Sequence, residues 1–417
     1  MGAADERPLA AAPWLRASAT RKVLTALGWG GQPVRFVGGC VRDGLLGLPD
    51  ARELDLATPE RPERVIGLLE AAGLPAIATG LAHGTVTTIA DRRCFEITTL
   101  RRDVACDGRH AKVAFTDDFV IDAARRDFTI NAMSCDGAGR LYDYFGGRAD
   151  LAAGRVRFVG DPAARIAEDY LRILRFFRFF ARYGREPADA EALAACREVA
   201  PELQRLSGER IQAEMLKLLE APDPLPALRL MVDGVLGEVV PGPVALARLA
   251  RLIDLAPESD ALVRLAALLR SPPADPDAAE RVALRWRLAN RDAERLLALT
   301  REPLPRLRAA PAARRRDLHR LGGARYADLT RIAAAEANGP GAALVAALAA
   351  AEAWRPQRLP VGGDDLLALG VPAGPRLGAR LAALEAWWVE RDFAPDRAAC
   401  LAEARRLLAS CGADAAP

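Results

Sequence analysis

The stretch Val37–Thr58, VGGCVRDGLLGLPDARELDLAT, decides how this chain is read. Gly38 and Gly39 follow the apolar positions Val34, Phe36 and Val37 and precede VRDGLLG, whose spacing predicts the start of a helix. A strand, a tight turn and a helix start leave backbone N–H groups free for a phosphate. Further on, Glu53 and Asp55 flank Leu54. Residues i and i+2 of a strand point to one side, so both carboxylates face one point while Leu54 packs behind them. Two such oxygen donors suit Mg²⁺ held beside a nucleoside triphosphate. A glycine pair before a helix and an acidic pair on a strand are each commonplace alone; their order and spacing give them meaning.

The chain has 417 residues, too many for one ordinary domain, and its 51% apolar content is ample for real cores. The formal net charge is only +3, but a near-neutral total can hide a basic face opposite an acidic one, so nucleic acid is not excluded as a partner. Positive charge is almost all arginine, with lysine only at Lys22, Lys112 and Lys217. Arginine suits forked contacts to phosphates and bases. The seven cysteines are scattered without a C-x-x-C pair and the three histidines lie far apart, which argues against a zinc site or a disulfide framework. The N-terminus lacks a charged start followed by an apolar core, and the weakly apolar run Gly341–Ala351 is too short to cross a bilayer. The expectation is a soluble cytoplasmic protein with no membrane contact.

In chain order, residues 1–13 read as a loose arm and Trp14–Leu27 as a helix. Pro62–Ala72 reads as a second helix, and Ala76–Thr99 alternates as strands around the hairpin-like Asp91-Arg92-Arg93, with Glu96 the one acidic residue of the last strand. His83, without a second ligand nearby, reads as turn packing. The polar segment Arg101–Asp118 lacks clean periodicity and reads as a mobile loop. ARRDFTINAMS, Ala124–Ser134, follows, then LYDYFGGRADLAAG, Leu141–Gly154, a strand and a glycine turn. EDYLRILRFFR, Glu168–Arg178, has helical spacing with Leu171, Leu174, Phe177 and Phe180 on an apolar side; its acids and arginines at i+3 and i+4 would stabilise any exposed helix. LSGERIQAEMLKLL, Leu206–Leu219, starts at Ser207 as an N-cap. Beyond PDPLP at Pro222–Pro226 the chain is helical, broken at Ser271–Asp277 and Glu302–Pro311, with an arginine-rich stretch at Ala278–Thr300 and VGGDDLLALGVPAGPRLGARL at Val361–Leu381.

Together these motifs resemble the class II CCA tRNA nucleotidyltransferase and bacterial poly(A) polymerase family, whose signature runs GG-x-V-R-D-x-L-L-G and then D-x-D. The match covers Gly38, Gly39, Val41, Arg42, Asp43, Leu45, Leu46 and Gly47, and departs at Glu53, where the family has aspartate. The extra methylene moves the ligating oxygen by about 1 Å, enough to affect a position-dependent rate. RRDFT-x-NA, E-D-x-x-R and ERI-x-x-E match further family motifs. The strong motifs cover about residues 25–220; the 361–381 element resembles the tRNA-contacting tail of CCA-adding enzymes, and the rest matches weakly.

The resemblance implies an α+β protein: a polymerase-β-like nucleotidyltransferase head with a mixed sheet, then an all-helical neck, body and tail. The expected bounds are an arm and helix at 1–24, head 25–150, neck 151–222, body 223–310 and tail 311–417. Glu53 and Asp55 would hold metal, with Glu96 as a third catalytic carboxylate. Gly38, Gly39 and Arg42 would bind nucleotide; Arg126 would reach the triphosphate and Asp127 orient it. Glu168, Asp169 and Arg172 would bind the incoming base in place of a template, with Arg175 and Arg178 neutralising triphosphate or stacking nearby. A carboxylate accepts from the exocyclic amine that cytosine and adenine share, whereas guanidinium donates to ring nitrogen or carbonyl oxygen. The implied reaction adds C, C and A to the tRNA 3′ end from CTP and ATP: the terminal hydroxyl attacks the α-phosphate, one Mg²⁺ activating it and a second steadying pyrophosphate. The tRNA acceptor arm would be bound by phosphate and shape, without a stable protein partner. Rival readings are an ATP-only poly(A) polymerase, an enzyme adding CC or A alone, and a non-catalytic tRNA-binding relative.

Overall fold

The computed structural model describes residues 7–48, 53–106, 111–271, 275–337 and 340–411. The chain forms two compact units, Met1–Gly242 with Arg281–Leu288, and Pro243–Glu280 with Ala289–Pro417.

Among the described residues the first unit has nine strands: β1 (Arg35–Val37), β2 (Glu53–Thr58), β3 (Ile77–Gly80), β4 (Thr85–Ala90), β5 (Arg93–Thr99), β6 (Arg101–Cys106), β7 (Ala111–Phe115), β8 (Ser134–Asp136) and β9 (Leu141–Tyr142). Seven of them make one sheet in the order β3-β4-β5-β2-β1-β8-β9. β2 and β5 run parallel while the other pairs are antiparallel, so the sheet is mixed, as expected. The period-2 pattern sets its faces: Leu54, Leu56, Phe95 and Ile97 are fully buried, while Glu53, Asp55 and Glu96 stay exposed. Asp91 and Arg92, both at positive φ (48° and 64°), form the β4–β5 turn. Helices Ser18–Gly28 and Pro62–Ala71 pack against each other and β4, burying Val23, Leu27, Val65 and Leu69.

Several expectations change here. Residues 7–13 are not loose, because Leu9 is buried and its amide donates to the Gly139 carbonyl. Ala17, extended at ψ 146°, splits the first predicted helix into Pro13–Arg16 and Ser18–Gly28. The expected mobile loop is an antiparallel hairpin, β6 with β7, paired from Arg101↔Phe115 to Cys106↔Ala111. Residues 107–110 of that segment lie outside the described residues.

The predicted helix across Glu168–Arg178 is also interrupted. Pro162–Glu168 ends one helix, Asp169 is extended (φ −159°, ψ 108°), and Leu171–Tyr183 begins the next. The second helix buries Ile173, Leu174, Phe176, Phe177, Phe179 and Phe180. These rings meet Phe128 of the head, which lies 4.7 Å from Phe158 and 5.3 Å from Phe179, and Phe158 lies 6.1 Å from Phe176. Phe128 and the helix Leu171–Tyr183 therefore share one core.

In the second unit, helix Ala261–Leu269 is buried on all sides, the mark of a central helix. Gly323–Glu336 packs against both Leu246–Leu255 and that central helix, so the core continues across the expected 310/311 border. Val361, Leu366, Val371, Leu384, Trp388 and Cys400 form a separate cluster near the C-terminal end. There Gly374 (φ 119°) turns the chain into Pro375–Glu390, with Pro375 at the helix start. Among the described residues no helix is long and apolar enough to cross a membrane.

Two glycines give opposite stability predictions. A Cβ on Gly147 would stand 2.2 Å from the Thr129 carbonyl oxygen, whereas one on Gly67, inside Pro62–Ala71, would meet nothing within 4 Å. Gly147→Ala is expected to destabilise by about 1–3 kcal/mol. Gly67→Ala is expected to stabilise by up to about 1 kcal/mol. Denaturant melts of both variants check this; equal effects would contradict the packing described.

Candidate active site

The glycine turn is set by backbone geometry. Gly38 adopts φ 70°, ψ −127°, a conformation that suits glycine, and helix Gly39–Leu45 begins directly after it. A Cβ on Gly38 would lie 3.4 Å from Arg126 Nη1 and 3.7 Å from Asp55 Oδ2. Turn, arginine and carboxylate therefore converge at the end of β1.

The parallel pairing of β2 with β5 places Asp55 opposite Glu96 and Glu53 opposite Cys94. All three predicted carboxylates thus share one face. Asp55 reaches solvent but stands in a crowded recess. Burial first, then the charges of Glu96 and Glu53, raise its carboxyl above the usual range, with Arg126 pulling the other way. Like charges gathered on one face, which Arg126 offsets only in part, are what a divalent cation relieves. Among the described residues, no three of His, Cys, Asp and Glu close on one point as a complete metal cage. The edge fits an ion that takes one or two carboxylates from protein and its remaining oxygens from phosphates and water, the habit of Mg²⁺.

Arg126 is held loosely, with Asp122 Oδ2 at 3.4 Å and the Asn131 carbonyl at 3.5 Å. Asp122 was missed in the sequence, although the i, i+4 spacing to Arg126 was available as a signal. It is buried, bonded to Arg125 at 2.9 Å and to the Arg101 amide. Burial opposes its ionisation, but Arg125 and Arg126 outweigh that and hold it below the usual carboxylate range.

Arg42 turns inward instead of toward the open face. It is 7% exposed, bonds Asp43 at 2.8 Å and Asn131 at 2.6 Å, and stacks 4.2 Å over the Tyr183 ring. Tyr183 in turn donates to Asp43 at 2.9 Å. Arg42 therefore braces the glycine turn from beneath, with Nη2 3.6 Å from where a Gly39 Cβ would stand.

Asp127, expected to orient the triphosphate, points into the neck. It accepts from Phe128 N at 2.9 Å, Asn131 Nδ2 at 3.0 Å and Arg175 Nε at 2.7 Å. Burial opposes its ionisation, but Arg175 and these hydrogen bonds prevail and lower its carboxyl. Arg178 bonds Glu214 at 2.5 Å and lies 4.2 Å over Phe179. Arg175 also lies 3.8 Å from Glu214, which is 6% exposed. Both arginines are thus engaged by carboxylates of the interior; Glu214 and Asn131 had no sequence signal of this role.

The remaining motif residues lie together where the two helices break. Glu168 Oε2 pairs with Arg172 Nη1 at 2.5 Å and Glu168 Oε1 with Arg165 at 2.5 Å. Arg172 also donates to the Arg165 carbonyl (2.8 Å) and the Arg125 carbonyl (3.2 Å). Asp169 accepts from Leu171 N at 3.1 Å and from Arg210 at 2.7 Å. Arg172 and Asp169 stay partly open, at 13% and 27% side-chain exposure.

Asp127 and Asp55 should respond to pH with opposite signs. Asp127's lowered carboxyl contributes stability that is present above the unfolded value, about 3.9, and lost as pH falls through the folded one. Asp127→Asn is expected to cost about 1–3 kcal/mol at neutral pH and to flatten that acid limb. Asp55's raised carboxyl binds its proton more tightly when folded, so its contribution is present at acid pH and lost as pH rises. Asp55→Asn is therefore expected to raise the neutral-pH melting temperature. Thermal melts across pH 3–8 measure both, and a less stable Asp55→Asn would overturn the assignment.

The comparisons agree with this geometry. Residues 34–157 match the family model described as the Poly A polymerase head domain, and residues 189–243 match that of a probable RNA and SrmB-binding site of polymerase A. The mitochondrial CCA tRNA nucleotidyltransferase 1 of Danio rerio is 49% identical over 189 residues, 45% of this chain and 44% of that protein. The chain thus spans less than half the length of such curated relatives. A CCA-adding enzyme of Limosilactobacillus fermentum is 31% identical over 398 residues, 93% of this chain and 96% of its own length. The Bacillus stearothermophilus CCA-adding enzyme, solved in complex with CTP, superposes with a TM-score of 0.77 at 28% identity, covering 95% of this chain and 98% of that one. With the glycine turn, the carboxylate strand and the E-D-x-x-R break in place, the chain belongs to the class II CCA tRNA nucleotidyltransferase and bacterial poly(A) polymerase family.

Proposed function

We propose that this protein adds C, C and A to the 3′ end of tRNA from CTP and ATP, without a nucleic-acid template, in the cytoplasm. The observation that carries the reading is the segment Arg125–Asp127, which touches both halves of a nucleotide site. Arg126 faces the Gly38 turn and Asp55, while the Arg125 carbonyl and the Asp127 carboxylate hold Arg172 and Arg175 of the neck helix.

The triphosphate lies against the Gly38–Gly39 turn and Arg126, whose N–H groups and positive charge complement it. Asp169 accepts from the amine of cytosine or adenine. Arg172 donates to the neighbouring ring nitrogen or carbonyl; its Nε–H and one Nη2 proton have no partner among the described residues. A uracil carbonyl would face the Asp169 carboxylate acceptor to acceptor. That mismatch costs about 1–3 kcal/mol, roughly one to two powers of ten in selection. Glu53 and Asp55 would hold Mg²⁺, with Glu96 beside them, and the ion, when bound, supplies charge neutralisation and lowers the pKa of a coordinated hydroxyl. The tRNA 3′ hydroxyl gives up its proton to solvent as its oxygen bonds to the α-phosphate, the bond to the β-phosphate breaks, and pyrophosphate leaves.

The test is incorporation on tRNA ending before CCA, with CTP and ATP supplied separately and together in Mg²⁺. Three additions that need both nucleotides are expected, reduced more than about a hundredfold in Asp55→Ala. Glu53→Asp should retain incorporation and Glu53→Ala lose it. Mg²⁺ should raise the melting temperature of the unaltered chain in the presence of CTP but not that of Asp55→Ala. Long tails from ATP alone would make the protein a poly(A) polymerase. Tight tRNA binding without incorporation would make it a binding protein.

A further inference from the structure

We infer that Arg210 is a positioning residue for base selection, acting through Asp169. The inference rests on the reading above of Asp169 as acceptor for the base amine. The E-R-I-x-x-E motif, Glu209 to Glu214, otherwise reads as architecture alone.

Residues i and i+4 share a helix face. On helix Gly208–Leu219 these are Arg210 and Glu214, and both turn toward the selection segment: Glu214 bonds Arg178 at 2.5 Å and Arg210 bonds Asp169 at 2.7 Å. The two contacts differ in setting. Glu214 is 6% exposed and belongs to the interior. Arg210 and Asp169 keep 26% and 27% side-chain exposure, so their pair stands at the open edge.

Asp169 is not fixed by regular backbone, since it is the extended residue between two helices. Two donors hold its carboxylate: Leu171 N on Oδ1 at 3.1 Å and Arg210 Nη2 on Oδ2 at 2.7 Å. A carboxylate oxygen has two acceptor positions, so one on each oxygen remains for an incoming amine. One donor per oxygen fixes the plane of the group; removal of Arg210 leaves a single hydrogen bond to fix it. The amine would then meet an acceptor of variable direction, and the penalty against a carbonyl edge would fall because the carboxylate can turn aside. Lysine at 210 keeps a charged donor and should restore much of the geometry, whereas glutamine keeps an N–H without the charge.

The experiment compares CTP and UTP in two ways: equilibrium binding to the full-length protein, and single-nucleotide incorporation on tRNA ending before CCA. The variants are Arg210→Ala, Arg210→Lys, Arg210→Gln and, as a control that perturbs the same helix from outside, Arg287→Ala, which frees the helix residue Glu209 from its 3.0 Å ion pair without touching Asp169. Arg210→Ala is expected to lower the CTP-to-UTP ratio of kcat/KM about tenfold, through KM more than kcat. Arg210→Lys should recover most of the ratio, Arg210→Gln less, and Arg287→Ala should leave it unchanged. If Arg210→Ala does not fold, the ordering of the lysine and glutamine variants decides. A lowered melting temperature with an unchanged ratio would make Arg210 a purely structural residue. An equal loss in Arg287→Ala would assign the effect to general loosening of the helix. Absence of CTP preference in the unaltered protein would instead remove the base-reading role of Asp169.

Discussion

The ion pair between Asp127 and Arg175 is the contact on which the first unit depends. Asp127 follows Arg126 in sequence, and Arg175 follows Arg172 by one helical turn, so one buried bond sets the spacing between the phosphate end and the base end of the candidate site. Burying such a pair is seldom a net source of stability, because desolvation takes back much of the Coulomb gain. What it contributes is register. With Glu214 shared between Arg175 and Arg178, and Asn131 shared between Asp127 and Arg42, the charges form a connected network in which no member can turn without leaving a buried partner unmatched.

Stability comes from elsewhere in the same unit. Phe128, Phe158, Phe176 and Phe179 bury large rings across the head–neck boundary, each edge-to-face or tilted pair adding roughly 0.5–1.5 kcal/mol beyond its area. That surplus offsets the carboxylate edge of β2 and β5, where Asp55 is ionised only against burial and the charges of Glu96 and Glu53. The sheet places apolar residues behind and acids in front because both strands alternate in phase. Destabilisation is thereby confined to one face and one edge. Substitutions that relieve the crowding would act against the chemistry proposed for that face.

The local parts of this arrangement were legible in the sequence. The glycine turn and the acids flanking Leu54 depend on short-range geometry alone, and the structure places them as the i, i+2 rule requires. The interruptions were not legible. Helical spacing runs unbroken through Glu168–Arg178, so nothing marks Asp169 as extended, and the mixed charges of β6 and β7 conceal their period of two. Long-range partners were harder still. Glu214, Asn131 and Tyr183 lie 36, 89 and 140 residues from the groups they hold, and a single sequence contains no term for such pairing. The same limit holds for Arg42 and Asp127, whose side chains meet Asn131 and Arg175: direction depends on the neighbours that folding brings.

Glu168 and Arg172 show how an ordinary helix contact and a recognition contact can be one thing. Their spacing is that of any surface i, i+4 pair, and the 2.5 Å bond exists as such a pair would. Yet Arg172 donates both Nη1 protons, to Glu168 and to the Arg165 carbonyl, and one Nη2 proton to the Arg125 carbonyl, leaving Nε–H and the last Nη2 proton as its remaining donors. In the proposed reading Glu168 would serve the base indirectly, by consuming donors that would otherwise offer alternative binding directions. Asp169, one residue on, supplies acceptors alone. One fixed set of acceptors beside one fixed set of donors is what the proposed template-free reading of the edge shared by cytosine and adenine would require. A site of that kind would need rigidity more than affinity, and Asp169 and Arg172 are each held by more than one partner within the protein itself.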